Sequence, residues 1–352
     1  MQGTGTPGND TLVGTEGNDT LEAFSGDDIL IGSKGNDTLD GDRGTDIADY
    51  SDLDTPISLE RAGGVIKFTN GEDRIFNVET IIAPEGKDNS INGSTNGVSG
   101  ETSFDINLNE ERLTVQNVRI RNSPINLRFT VRNFVDVTGT NQPDSIIGNE
   151  KDNLLFGKEG DDTLLGANGD DDIFGNEGDD SIEGGFGSDT VFGGLGNDSI
   201  FGGPDNDRLS GDEGDDLING DDGNDEIFGG DGKDSLSGGF GDDTVFGQAG
   251  NDIIEGNNGN DELWGSEGDD TLKGGRGEDR LIGDAGSDTF ILTVGEGTDK
   301  IEGFEQGIDK IQLPSGLASN ELDLFDNTIS FDGTSLATIN ISADNLTDSD
   351  FV

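Results

Sequence analysis

A nine-residue period governs this chain. From Gly157 to Ile291 the sequence divides into 15 consecutive nonapeptides without an insertion or deletion. Written G-x-x-G-x-D-x-U-x, with U an apolar residue, the first position is Gly in all 15 and the fourth in 14, Asp205 being the exception. The sixth position is Asp throughout: Asp162, Asp171, Asp180, Asp189, Asp198, Asp207, Asp216, Asp225, Asp234, Asp243, Asp252, Asp261, Asp270, Asp279 and Asp288. The eighth is always apolar, from Leu164, Ile173 and Ile182 to Phe290. Such a register predicts a stacked repeat rather than a conventional domain. Two degenerate units precede the run, Gly139–Ile147 and Gly148–Phe156, with Gln142 and Lys151 at the second Gly position and Asn153 at the Asp position. A separate array of five units spans Gly5–Asp49, with Asp10, Asp19, Asp28, Asp37 and Asp46 at the sixth position and Ala23 replacing one first Gly. Together the arrays cover 198 of the 352 residues.

Composition narrows the chemistry. The chain carries 76 acidic and 20 basic residues, a net charge of -56. That charge argues against nucleic acid and anionic membrane surfaces as partners. With 60 glycines and only 29% hydrophobic residues, the composition alone would fit a disordered chain. A compact state therefore needs something cationic. Histidine and cysteine are both absent, which removes the commonest general base, the commonest transition-metal ligand and all thiol chemistry. Carboxylates and carbonyls suit hard, oxygen-liganded cations instead. No D-x-[DN]-x-[DN]-G loop with its Glu at position 12 is present, so the EF-hand is excluded. Neither G-x-S-x-G nor G-x-x-x-x-G-K-[ST] occurs, and H-E-x-x-H is impossible without histidine. The chain reads as a binding or structural protein and not an enzyme.

The nonapeptide resembles that of the RTX (repeats-in-toxin), or haemolysin-type calcium-binding repeat, family, G-G-x-G-x-D-x-U-x. The resemblance implies an all-β fold, a parallel β-roll in which six residues of each unit turn and three form a short strand, two units making one coil of 18 residues. It implies multiple Ca²⁺ ions held in the turns. The implied ligands are the arrayed aspartates together with Gly160, Gly169, Gly178, Gly187, Gly196, Gly214, Gly223, Gly232, Gly241, Gly250, Gly259, Gly268 and Gly277, where a missing side chain lets backbone oxygens approach an ion. The U residues would stack inside on their counterparts 18 residues away. Residues 157–291 hold 37 acidic and 6 basic side chains. One ion between each turn and the next on the same side gives ~13 sites, which nearly neutralises the array. Folding and calcium binding are then expected to be one event.

The remaining segments complete four expected divisions: a short array over 1–49, a strand-rich spacer over 50–138, the main β-roll over 139–291 and a C-terminal cap over 292–352. In the spacer, Ile106-Asn107-Leu108, Leu113-Thr114-Val115 and Leu127–Val131 alternate like strands. Its Tyr50–Ile82 stretch resembles the spacers between family arrays and is expected to continue the solenoid without metal sites. Arg112, Arg119, Arg121, Arg128 and Arg132 either pair with the acidic arrays or form a site for an acidic, cell-surface or extracellular polysaccharide, for which an accessory or catalytic role is the alternative reading. The cap carries the landmarks Gly297–Ile301, Phe304, Asp309-Lys310-Ile311 and Leu336-Ala337, and resembles the segment after the last repeat in the family. The ending Asp348-Ser349-Asp350-Phe351-Val352 resembles an uncleaved type I secretion signal. The N-terminal residues show no cleaved signal peptide, and no stretch is apolar enough to span a bilayer. The expected location is extracellular.

Position nine of alternate units reads Phe174, Phe192, Ser210, Phe228, Phe246, Trp264 and Ile282. The other series, from Leu165 and Glu183 to Lys273 and Ile291, is mixed. One outer face is expected to carry an aromatic stripe, either a ladder between coils or a docking surface.

Overall fold

The computed structural model describes residues 2–340 and 345–352, except 54, 56, 61–63, 68–70, 77–79, 84–88, 93–103, 109–111, 121–122 and 133. The chain forms two compact units, Met1–Asn168 and Gly169–Val352. The described residues contain no α-helix, only strands and the short 3-10 turns Ser319–Glu321 and Asp348–Asp350. Both units are parallel β-rolls.

In the first unit one ladder runs Gln2–Thr4, Thr20–Glu22, Thr38–Asp40 and the end of Gly71–Phe76, all parallel. The other runs Thr11–Val13, Ile29–Ile31, Ile47–Asp49 and Thr80–Ile82. Successive rungs of the array are 18 residues apart, as Leu12 and Leu30 show. Each ladder then takes in a three-stranded antiparallel excursion. Gly71–Phe76 pairs back on Gly64–Lys67 and that on Ile57–Glu60, which rejoins the parallel ladder at Ser90–Asn92 and Asp136–Thr138. On the other side Ser123–Arg132 lies parallel to Thr80–Ile82 and antiparallel to Arg112–Ile120, which pairs with Phe104–Asn107, next to Ser145–Ile147. The spacer thus continues the roll, as its strand pattern suggested. Arg112, Arg119, Arg128 and Arg132 fall on the second excursion; Arg121 lies outside the described residues.

The second unit is more regular. One ladder steps from Asp172–Glu177 through Thr190–Leu195 and on to Arg280–Ala285, the other from Ser181–Phe186 to Thr289–Ile291. Every U residue points inward: Val191, Ile200, Leu209, Ile218, Ile227, Val245 and Ile254 are fully buried. Strand length differs from the expected three residues. In the N-terminal array it is three, but here it is six. The ladder pairs Phe174 with Phe192, steps over Gly175, and resumes with Asn176 on Gly194. A positive φ at position two of each unit, 81° at Asn176 and 117° at Gly194, brings positions two and three back into register.

Asp299–Glu302 and Lys310–Gln312 extend the two ladders beyond the repeats. An antiparallel meander, Asp323–Phe325, Thr328–Phe331 and Thr334–Ile339, then covers one of them. The last residues are tied down: Phe351 bridges to Ile311, and the Val352 N–H donates to the Ile311 carbonyl at 3.1 Å.

The aromatic stripe is a ladder of half-buried rings. Phe174 stacks on Phe192 with centroids 5.2 Å apart, Phe228 on Phe246 at 5.2 Å, and Phe246 on Trp264 at 4.6 Å. Beside the gap at Ser210, the Arg208 guanidinium lies 4.7 Å from the Phe228 centroid. Arg280 lies similarly over Trp264 at 5.3 Å. Offset stacking and cation–π contact both favour this arrangement.

Positions four and two of the repeat answer different needs. At position four, Gly250 has φ 150°, and a Cβ there would sit 1.3 Å from the Gly232 carbonyl oxygen, so both conformation and space require glycine. Position two needs only the positive φ, which Gln248 adopts at 76°. Gly250→Ala is therefore expected to destabilise the roll by about 2–4 kcal/mol. Gln248→Gly should shift stability by less than ~1 kcal/mol, in the stabilising direction. Thermal unfolding in calcium measures both; equal effects would contradict the distinction.

Candidate metal centres

Each turn places its aspartate beneath the chain, where it is almost wholly buried: Asp225 is 2% and Asp243 1% exposed. One carboxylate oxygen has a structural task. Asp225 Oδ1 accepts the backbone N–H of Asp207 at 2.9 Å, and Asp243 Oδ1 accepts that of Asp225 at 2.9 Å. The pattern repeats every 18 residues along both sides, from Asp171 to Asp279 and from Asp180 to Asp288. The aspartates therefore form two continuous rows in this unit.

The second oxygen is different. Oδ2 of all 12 aspartates from Asp189 to Asp288 is buried and receives no hydrogen bond. The same holds for Asp28 in the N-terminal array. A buried carboxylate oxygen without a donor is costly, and a row of them is more so. What borders it explains the first glycine. A Cβ on Gly220 would lie 2.2 Å from Asp225 Oδ2 and 2.6 Å from the carbonyl oxygen of Gly238 on the next coil. Two acceptors border a space kept open by the missing side chain, and no N–H or O–H enters it. A cation satisfies both where the carboxyl group is ionised. Among the described residues no three acidic side chains converge on one point, so the further ligands must be backbone carbonyls, as hard-cation loops commonly use. The donor set is all oxygen, flexible and built between coils, which fits Ca²⁺.

Burial pushes these carboxyl groups up: Asp198, Asp234, Asp243, Asp261 and Asp270 to about 7, Asp207 to about 8 and Asp225 to about 6. Desolvation is the main cause, reinforced by neighbouring carboxylates, with the accepted backbone N–H acting in the opposite sense.

The rows do not stop where the nonapeptides stop. The Asp279 N–H reaches Asp299 Oδ1 at 3.4 Å, and the Asp288 N–H reaches Asp309 Oδ1 at 3.1 Å. Burial, with the Asp279 carboxylate beside it, raises the Asp299 carboxyl. In the first unit the Asp144 N–H donates to Asp162 Oδ1 at 2.7 Å. Asp144 holds the sixth position of the degenerate unit Gly139–Ile147. Asp299 and Asp309 are row members that the nine-residue register does not select, because they follow their partners by 20 and 21 residues. Their signal in the sequence was the Asp-Lys-Ile of both cap landmarks, an Asp two residues before an apolar one.

The N-terminal aspartates divide. Asp28 Oδ1 accepts the Asp10 N–H at 2.7 Å and Asp46 Oδ1 the Asp28 N–H at 2.8 Å, as in the main array. Asp37 Oδ1 accepts the Asp19 N–H at 2.8 Å. But Oδ2 of Asp10 accepts the N–H and hydroxyl of Thr6, and Oδ2 of Asp19 those of Thr15.

The family model described as RTX calcium-binding nonapeptide repeat (4 copies) matches residues 4–39, 22–50, 138–173, 165–200, 201–236, 228–263, 255–290 and 264–301, more than half of the chain. The chain belongs to this family. It is a calcium-binding RTX repeat protein. No curated protein matches the sequence. Among solved structures, the extracellular lipase LipA from Serratia marcescens is 16% identical over 100% of this chain and 40% of the lipase chain, with a TM-score of 0.22. The RTX chain thus spans 40% of that lipase's length, a likeness too loose to transfer anything.

The raised carboxyl groups set a pH dependence. Their folded-state values lie above the unfolded Asp value of about 3.9, so the ion-free roll is favoured in acid and loses that support as pH rises through about 6 to 8. Calcium displaces those protons only from a closed, ion-free roll. From an unfolded chain, whose aspartates titrate near about 3.9, folding onto calcium releases few protons above about pH 5, so the calcium midpoint is expected to change little between about pH 5.5 and 8.5 and to weaken steeply below about pH 4. Calcium titrations monitored by circular dichroism across this range check it; a midpoint that tightens roughly tenfold per pH unit between about pH 5.5 and 7 would contradict it.

Proposed function

We propose that this RTX protein is secreted unfolded, folds when it meets calcium outside the cell, and serves there as a structural or surface-associated protein rather than as an enzyme. The observation that carries the reading is the run of buried aspartates from Asp189 to Asp288 whose Oδ2 atoms have no donor. Without cations, residues 157–291 bring 37 acidic side chains against 6 basic ones into one narrow roll. The apolar interior contributes one U residue per nonapeptide, too little to offset chain entropy and repulsion together. Calcium thereby becomes part of the core. A cytosol poor in free calcium keeps such a chain open for export, and an extracellular medium closes it. Family membership supports this route. The reading against catalysis rests on the missing histidine and nucleophile motifs.

Far-UV circular dichroism of the full chain, first in chelator and then through a calcium titration, tests the proposal. A cooperative gain of β-structure is expected at roughly 10⁻⁴–10⁻³ M Ca²⁺, the range of extracellular modules. Mg²⁺ should not substitute, since it keeps its waters and demands octahedral geometry. Trp264, the sole tryptophan, stacks on Phe246 only in the closed roll, so its emission should shift to the blue in the same transition. Spectra unchanged by chelator would sink the proposal. Export is checked separately: cells with a type I exporter should release the full chain and retain one lacking residues 292–352.

A further inference from the structure

The aspartate turns come in two kinds. In the first, position two has a positive φ, as it does in all 15 units of the main array, for example Asp221 at 71°, Gln248 at 76° and Ser266 at 82°, and from Asp189 to Asp288 the Oδ2 of these turns has no donor. Asp28, whose Oδ2 is also orphaned, belongs to a unit with Phe24 at φ 78°. In the second kind, position two has no positive φ and its own N–H turns inward onto the acidic side chain four residues later. Thr6 donates to Asp10 Oδ2 at 2.5 Å, Thr15 to Asp19 Oδ2 at 2.5 Å and Thr140 to Asp144 Oδ2 at 2.5 Å. Asn149 donates to Asn153 Oδ1 at 2.8 Å, and beyond the repeats Glu305 donates to Asp309 Oδ2 at 2.7 Å.

Two features separate the kinds. The first is chemical. In a capped turn a protein N–H fills the role a cation would otherwise fill, and a threonine hydroxyl adds a second donor at Asp10 and Asp19, 2.9 Å away in each. The second is charge. Asn153 performs the capped role with a neutral amide, so a capped turn does not need a carboxylate. Threonine explains the conformation: a β-branched residue at positive φ is a steric outlier, so Thr6, Thr15 and Thr140 hold the extended backbone that aims their N–H inward.

The capped turns sit where arrays begin or end: the first two units of the N-terminal array, the two degenerate units ahead of the main array, and the exit at Asp309. An end turn has an aspartate turn on one side only and gathers fewer than the six to eight oxygens that calcium takes. We propose that the residue at position two decides occupancy turn by turn: turns with positive φ there hold calcium, and the turns of Asp10, Asp19, Asp144, Asn153 and Asp309 are hydrogen-bonded terminators that hold none. The inference rests on the reading of the orphaned carboxylates as calcium ligands.

Native mass spectrometry of the full chain in calcium resolves single bound ions. Asp19→Asn keeps an acceptor for the Thr15 N–H and should leave the ion count unchanged, whereas Asp28→Asn should lower it by one. Ser266→Thr adds one methyl group at a position two with φ 82° and should also remove one ion, that of the Asp270 turn, while Ser266→Gly keeps the full count. Loss of an ion in Asp19→Asn, retention of all in Asp28→Asn, or retention of all in Ser266→Thr would each overturn the inference. Asp225→Asn distinguishes its failure from that of the underlying reading: an unchanged count in this central variant would overturn the assignment of calcium to the rows altogether.

Discussion

A buried carboxylate oxygen that shares a space with a backbone carbonyl, with no proton between them, is the constraint on which this structure depends. Asp225 Oδ2 and the Gly238 carbonyl both border the Cα of Gly220, and the arrangement recurs along both sides of the roll. Neither group can be left as it is in a dry interior. The repeat sequence is the solution written nine residues at a time. Position one is glycine to keep the space open, position four is glycine to let successive coils approach, position two turns the backbone so that no N–H closes the site, and position six supplies the charge.

The apolar interior has a secondary part. It is one residue wide, with Ile218 and Leu236 or Val245 and Leu263 meeting across adjacent coils. Such a core fixes register, because a slip of one residue would turn it outward, but it does not carry the fold. The outer ladder of Phe228, Phe246 and Trp264 adds stacking between coils. Two of the array's cations lie alongside it, Arg208 with Glu226 and Arg280 with Glu262 and Glu302. These pairs are partly exposed and contribute little individually. They also leave the Asp rows untouched, which is consistent with the rows being reserved for metal.

Much of this was legible in the sequence because the structure is periodic. The inward U residues, the 18-residue coil and the outer stripe with Trp264 between Phe246 and Ile282 all follow from the register, and the structure has them. What the register could not show were its exceptions. Asp299 and Asp309 join the rows across longer connections, so a nine-residue count passes over them. The six-residue strands depend on a backbone angle at position two that Gly, Asp, Asn, Gln, Ser, Lys and Ala all adopt in this chain, so residue type hides it. By the pattern alone, Asp10 and Asp19 are indistinguishable from Asp225. The threonines four residues before them mark the difference, and their meaning is plain only once the N–H directions are known. In the spacer, alternation revealed strands but not that two antiparallel excursions are threaded into otherwise parallel ladders.

Calcium-edge anomalous diffraction from crystals of the full chain grown in calcium addresses the central claim most directly. The account predicts two rows of anomalous peaks within the second unit, each peak about 2.3–2.6 Å from the Oδ2 of one arrayed aspartate and from a glycine carbonyl of the neighbouring coil. Peaks scattered among the exposed acidic side chains, with the spaces beside Asp207, Asp225 and Asp243 empty, would contradict it.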